Sequence, residues 1–158
     1  MKRSYSKAAL FLIMPFVFTM ASAELVNTVS IESPTDGQEV GARVVVKGTS
    51  NIVDDESNVW VLVHPKLFAG QWWPQNKPVR DIKTGNWEAL AYIGQKADIG
   101  LEFEIAVATF KGEAEKKILE YHDTGRRTGS FLPIPFPETT SPIKIITVKK
   151  VSHLTKSD

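Results

Sequence analysis

The sequence predicts an all-β fold: an antiparallel β-sandwich with one short helix and a proline-rich loop before the last strand. Three observations carry this. Short apolar runs recur about every ten residues. Gly, Pro, Asn and Asp close nearly every run, as turns require. Residues 101–109 (LEFEIAVAT) alternate apolar and acidic or small side chains, the period of a strand.

Taken in order, Val26 to Glu32 reads as a first strand, closed by Ser33-Pro34-Thr35-Asp36-Gly37. Val40 to Gly48 reads as a second strand, with Val44 and Val46 on one face. Asn58 to His64 is almost wholly apolar, as in a strand covered on both sides. Pro74 and Pro78 cannot donate to a ladder, so residues 71–83 belong at an edge or a crossing between sheets. Thr84-Gly85-Asn86 forms a turn into Trp87 to Ile93, which places Trp87, Ala89, Ala91 and Ile93 on one face. In the alternating run, Leu101, Phe103, Ile105 and Val107 point inward, and Glu102 and Glu104 face water. Glu113 to Asp123 is the helical segment, with Ala114, Ile118 and Tyr121 on one face and Gly125 as its stop. A proline-rich loop from Arg126 to Pro142 leads to a closing strand, Ile143 to Val151. A closed barrel is the competing arrangement of the same strands.

The N-terminus reads as a secretory leader, residues 1–23. Lys2, Arg3 and Lys7 precede an apolar run from Ala8 to Met20, and Ala21-Ser22-Ala23 supplies a small-x-small cleavage site. That run is shorter than the roughly 20 residues a membrane span needs. The remainder divides into one domain, 24–152, and a loose tail, 153–158. Removing the leader's three basic residues takes the formal net charge from +1 to −2. So balanced a surface argues against nucleic acid as a partner. The chain has no cysteine, which excludes disulfides, a thiolate metal site and a thiol nucleophile.

The pattern V-x-I-x-x-P-x-x-G-x-x-V-x-x-x-V-x-V-x-G runs from Val29 to Gly48. Together with VWVLVHP, Trp73-Pro74-Gln75 and Gly100-x-x-Phe103, it resembles secreted bacterial immunoglobulin-like domains that carry a Trp-Pro-Gln motif. The resemblance spans residues 29 to about 110 and implies an immunoglobulin-like sandwich used as an accessory, adhesive or stalk module, with no reaction implied. The helix and proline-rich loop depart from that pattern and leave strand order open after residue 110.

Chemistry-bearing residues are few. No G-x-S-x-G nucleophile elbow occurs. His64, His122 and His153 lack metal-ligand spacing, and the first two read as surface or cap residues. Asp54-Asp55-Glu56 lacks the spaced pattern of a calcium loop and reads as a solvated turn. Neither a catalytic residue, a metal ligand nor a cofactor is predicted.

Binding candidates stand out more clearly. Trp72 and Trp73 are neighbours on an extended segment, so one can enter the core while the other meets a ligand beside Gln75 and Phe68. In Phe131-Leu132-Pro133-Ile134-Pro135-Phe136-Pro137, Phe131 and Phe136 are the large apolar groups, with Arg126 and Arg127 as a charged rim. Such a loop either covers open sheet or docks a partner. The expectation is an exported, non-catalytic binding module for an envelope or extracellular protein or glycan. The alternatives are a structural subunit of a surface assembly and a small secreted hydrolase.

Overall fold

The computed structural model describes residues 25–153. The expected leader, and the tail beyond His153, lie outside the described residues. Among the described residues nine strands form: β1 (Thr28–Val29), β2 (Gln38–Val40), β3 (Arg43–Asn51), β4 (Asn58–Pro65), β5 (Trp73–Pro74), β6 (Val79–Arg80), β7 (Asn86–Tyr92), β8 (Glu102–Phe110) and β9 (Lys144–Lys150). A 3-10 turn (Lys96–Asp98) precedes β8, and helix α1 (Gly112–Thr128) follows it. No helix among the described residues is long and apolar enough to cross a membrane.

The strands form two open sheets, ordered β1-β3-β7-β6 and β2-β9-β8-β4-β5. Every named pairing is antiparallel except β2 with β9, so the second sheet is mixed. The expected strand over Val40 to Gly48 is really two. The chain leaves β2 in one sheet, turns at Gly41-Ala42 and enters β3 in the other. Gly48 is obligatory for a steric reason: a Cβ there would lie 2.0 Å from the Ser30 carbonyl oxygen and 2.7 Å from the Trp87 ring.

The inner faces meet in one apolar core. Val46, Trp87, Ala89 and Ala91 come from the first sheet; Val59, Val61, Val63, Phe103, Ile105, Val107 and Val148 come from the second. Each large apolar side chain fully buried there contributes about 1.5–3 kcal/mol. The expected inward set on β7 and β8 is therefore where the alternation puts it, with Leu101 only partly buried.

The far side of the second sheet is a second apolar layer, which departs from the expected single buried face of β8. Glu102 is exposed, but Ala106, Ala108 and Phe110 are buried with Trp60, Leu62, Trp72 and Ile118. The two alanines keep the sheet low enough for α1 to lie across it. β4 is accordingly covered on both faces, as its unbroken apolar run predicts.

Helix α1 runs further than predicted, to Thr128, and is closed by Gly129 in the left-handed region (φ 72°) with its N–H donating to the Gly125 carbonyl at 2.8 Å. Gly125 is no stop. It is buried within the helix, where a Cβ would come within 2.2 Å of the Phe131 ring. Arg126 and Arg127 consequently occupy the last helical turn, where cations offset the helix dipole, and not the loop.

Candidate functional site

β5 pairs with β4 over only two residues, because Pro74 offers no N–H to extend the ladder. The neighbouring tryptophans point opposite ways. Trp72 is 8% exposed, stacked on His64 (centroids 4.0 Å apart, 26°) and set edge-on to Phe136 (4.8 Å, 81°). Trp73 is only partly buried, and its indole Nε1–H donates to the Phe131 carbonyl at 3.0 Å. Trp72 thus belongs to the second apolar layer, and Trp73 to a surface.

Gln75 is buried and joins three elements. Its Nε2 donates to the Trp73 carbonyl (2.7 Å), its Oε1 accepts the Tyr92 N–H (2.8 Å), and its own N–H donates to the Val61 carbonyl (2.8 Å). Since β5 and β7 lie in different sheets, its amide ties the two sheets together at this end. The Gln75 carbonyl also faces His122 Nε2 of α1 at 3.1 Å. A carbonyl only accepts, so Nε2 carries the proton. Burial, the largest influence, pushes His122 below the ordinary histidine range and favours the neutral ring.

These contacts frame a cleft of about 590 Å³. Its walls are Phe68 from the β4–β5 loop, Trp73 to Asn76, Tyr92 at the end of β7, Gln95 and Asp98 at the 3-10 turn, Tyr121 and His122 from α1, and Phe131; Val63 and Phe103 also line it. Phe68 and Tyr92 are each 50% exposed and Phe131 is 45% exposed. Tyr121 packs on Phe131 (centroids 5.7 Å), and burial pushes its phenol up to about 12. Behind the wall, the buried Lys150 ammonium donates at 2.6 Å to the carbonyls of Ile93 and Gln95. The Asp98 carboxylate accepts the Gln95 N–H at 2.5 Å.

No protein-family model matches this chain, and no curated protein matches it. Its chemistry rests on this geometry.

Of the residues singled out from sequence, Phe68, Trp73, Gln75 and Phe131 come together at the cleft. Trp72 and Phe136 pack behind it in the second layer, and Arg126 and Arg127 lie exposed on α1, Arg126 paired with Asp123. Tyr92, Gln95, Asp98, Tyr121 and His122 were not anticipated; Tyr92 alone had a signal, as an aromatic residue on the solvent face of an alternating strand. His64 is not a surface residue. It is 6% exposed, with Nε2 2.7 Å from the Glu104 carboxylate and Nδ1 3.3 Å from the Phe68 carbonyl. It thereby holds the loop that carries Phe68.

Asp54 also differs from a plain solvated turn. Its carboxylate accepts from Asn27 Nδ2 (2.8 Å), Ser57 Oγ (2.9 Å), the Ser57 N–H (2.6 Å) and the Glu56 N–H (3.0 Å). The Asn27 bond is the largest influence holding it at about 2. A second, more polar cavity of about 700 Å³ adjoins this turn, but its Arg80 is paired with Ser50 and its Lys77 with Glu115. Among the described residues, no three His, Asp or Glu side chains stand together as metal ligands.

Proposed function

We propose that this chain is an exported, non-catalytic binding module of immunoglobulin-like type, holding an envelope or extracellular protein or glycan in the aromatic cleft. The observation that carries the reading is the meeting of Phe68, Trp73, Tyr92 and Phe131, drawn from four separate segments, around one opening. Half-exposed rings around a concavity of this size suit ligand capture, since such sites span roughly 300–1,000 Å³.

The strand order supports the immunoglobulin-like part. Taking β1, β3, β7 and β6 as strands A, B, E and D gives one sheet, and β9, β8, β4 and β5 as G, F, C and C′ give the other. β2 is then a crossover piece of the first strand, lying along G. Helix α1 is an insertion between F and G.

The non-catalytic part of the reading is supported by how the polar groups are used. No Ser, Thr or Lys side chain lines the cleft among the described residues. His122 Nε2 is held by a main-chain carbonyl, and Asp98 caps the 3-10 turn. Export rests on the basic, apolar and small-x-small succession of residues 1–23.

The test is capture from envelope extract by the wild-type chain and by a Tyr92→Ala/Phe131→Ala double variant, with bound protein and glycan both read. Capture by the wild type alone supports the cleft; equal capture by the folded variant contradicts it. Intact mass of the exported product should begin at Glu24, and a product still beginning at Met1 would contradict the leader.

A further inference from the structure

We propose that the cleft takes uncharged sugar rings of a glycan, packed face-on against its aromatic rim. This rests on the cleft being the binding site and narrows what it binds.

The first support is the shape of the rim. Phe68, Tyr92 and Phe131 are each about half exposed, and all three line the cleft. One face of a pyranose is a patch of C–H groups, which packs on such a ring while the hydroxyls point sideways. Alongside lie the exposed amides of Asn76 and Gln95 and the carboxylate of Asp98, which together donate to and accept from hydroxyls.

The second support is charge. Asp98 is the one formally charged side chain among the described residues lining the cleft, and Lys150 stands behind the wall at Gln95. His122 is held toward neutrality and the Tyr121 phenol stays protonated. A phosphate or a uronate therefore finds no cationic side chain lining the cleft, and a polycation finds a single carboxylate.

The third support is what a peptide would lack. An extended peptide adds to a sheet through main-chain groups at an open edge. Here both main-chain groups of Trp72 are taken by Ile134, and Pro74 has no N–H. The Trp73 indole N–H is occupied by the Phe131 carbonyl, and the Gln75 amide by Trp73 and Tyr92. Side-chain amides and half-exposed aromatic side chains are what the cleft leaves open, and hydroxyls on an apolar ring match them.

The experiment presents the exported chain to an array of neutral hexose and N-acetylhexosamine oligosaccharides, beside uronate- and sulfate-bearing ones and proline-rich peptides. Hits are titrated by tryptophan fluorescence at low and high salt. The expected result is saturable binding of a neutral oligosaccharide, little changed by salt because no ion pairs form. Tyr92→Ala should weaken it about tenfold or more. Phe68→Ala, at another exposed ring, should weaken it too, with circular dichroism unchanged in both. Binding confined to charged glycans, or to nothing on the array, would overturn the inference. Peptide binding that Tyr92→Ala abolishes would overturn the sugar assignment and leave the cleft as the site. Sugar binding that survives both substitutions would overturn the site as well.

Discussion

Trp72 and Ile134 exchange two main-chain hydrogen bonds, each 2.9 Å, which fasten the proline-rich segment to the edge of the second sheet. The Trp72 ring completes the joint by packing between His64 and Phe136. The proline-rich loop therefore covers a sheet face through Ile134 and Phe136, and Phe131 at its start becomes a wall of the cleft.

Trp72→Ala should cost about 3–5 kcal/mol, the usual range for removing a buried aromatic side chain. Urea unfolding monitored by circular dichroism checks this. A loss below about 1 kcal/mol would mean that the ring is not part of the second layer.

Gly125→Ala should lower stability, although alanine ordinarily favours a helix interior over glycine by about 1 kcal/mol. The new methyl would lie within 2.2 Å of Phe131, whose ring must leave its place against Tyr121. Thermal unfolding compared with Thr124→Ala, at an exposed helical position, isolates the steric effect. A stabilised Gly125→Ala protein would contradict the packing described.

Gln75→Leu removes the amide that joins the sheets and leaves the Tyr92 N–H and Trp73 carbonyl without that partner. Each buried group left unpaired costs about 1–3 kcal/mol. The amide proton of Tyr92 should exchange faster with solvent in this variant, by more than that of Val46 in the core. Equal protection at Tyr92 before and after substitution would show that the amide holds nothing.

Much of the architecture was legible because it depends on local alternation. Phe103, Ile105 and Val107 face the core, and Val59 to Val63 is covered on both sides, as period and composition require. What was not legible depends on contacts between distant segments. Gly125 reads as a helix stop until Phe131 is known to lie against it. His64 looks like a strand-end residue until Glu104 and Trp72 close around it. Gln75 reads as a ligand contact beside Trp73, yet it is a structural tie, and of the neighbouring Trp72 and Trp73 only Trp73 lines the cleft. Tyr92, Asp98 and His122 reach that cleft through tertiary packing, which spacing along the chain does not reveal.

Asp54 sets an expected pH dependence. Its carboxyl titrates at about 2 when folded against an ordinary 3.8, so the unfolded chain binds more protons between those values. Its contribution is complete above about 3.8 and is lost as pH falls toward 2. Asp54→Asn puts an amide where Asn27 and Ser57 donate, so it should be less stable than wild type at neutral pH. The gap should close as pH drops from about 4 to 2, measured by urea unfolding across that range. A gap independent of pH would show that the Asp54 charge is not what holds the turn.

The role of the cleft is tested most directly by amide chemical-shift mapping of residues 24–158, titrated with whatever partner the capture experiment yields. The largest changes should fall at the Trp73 indole N–H and at Tyr92, Gln95 and His122. Changes confined to the outer side of the first sheet, around Val45 and Val79, would place the binding surface elsewhere and contradict the proposed site.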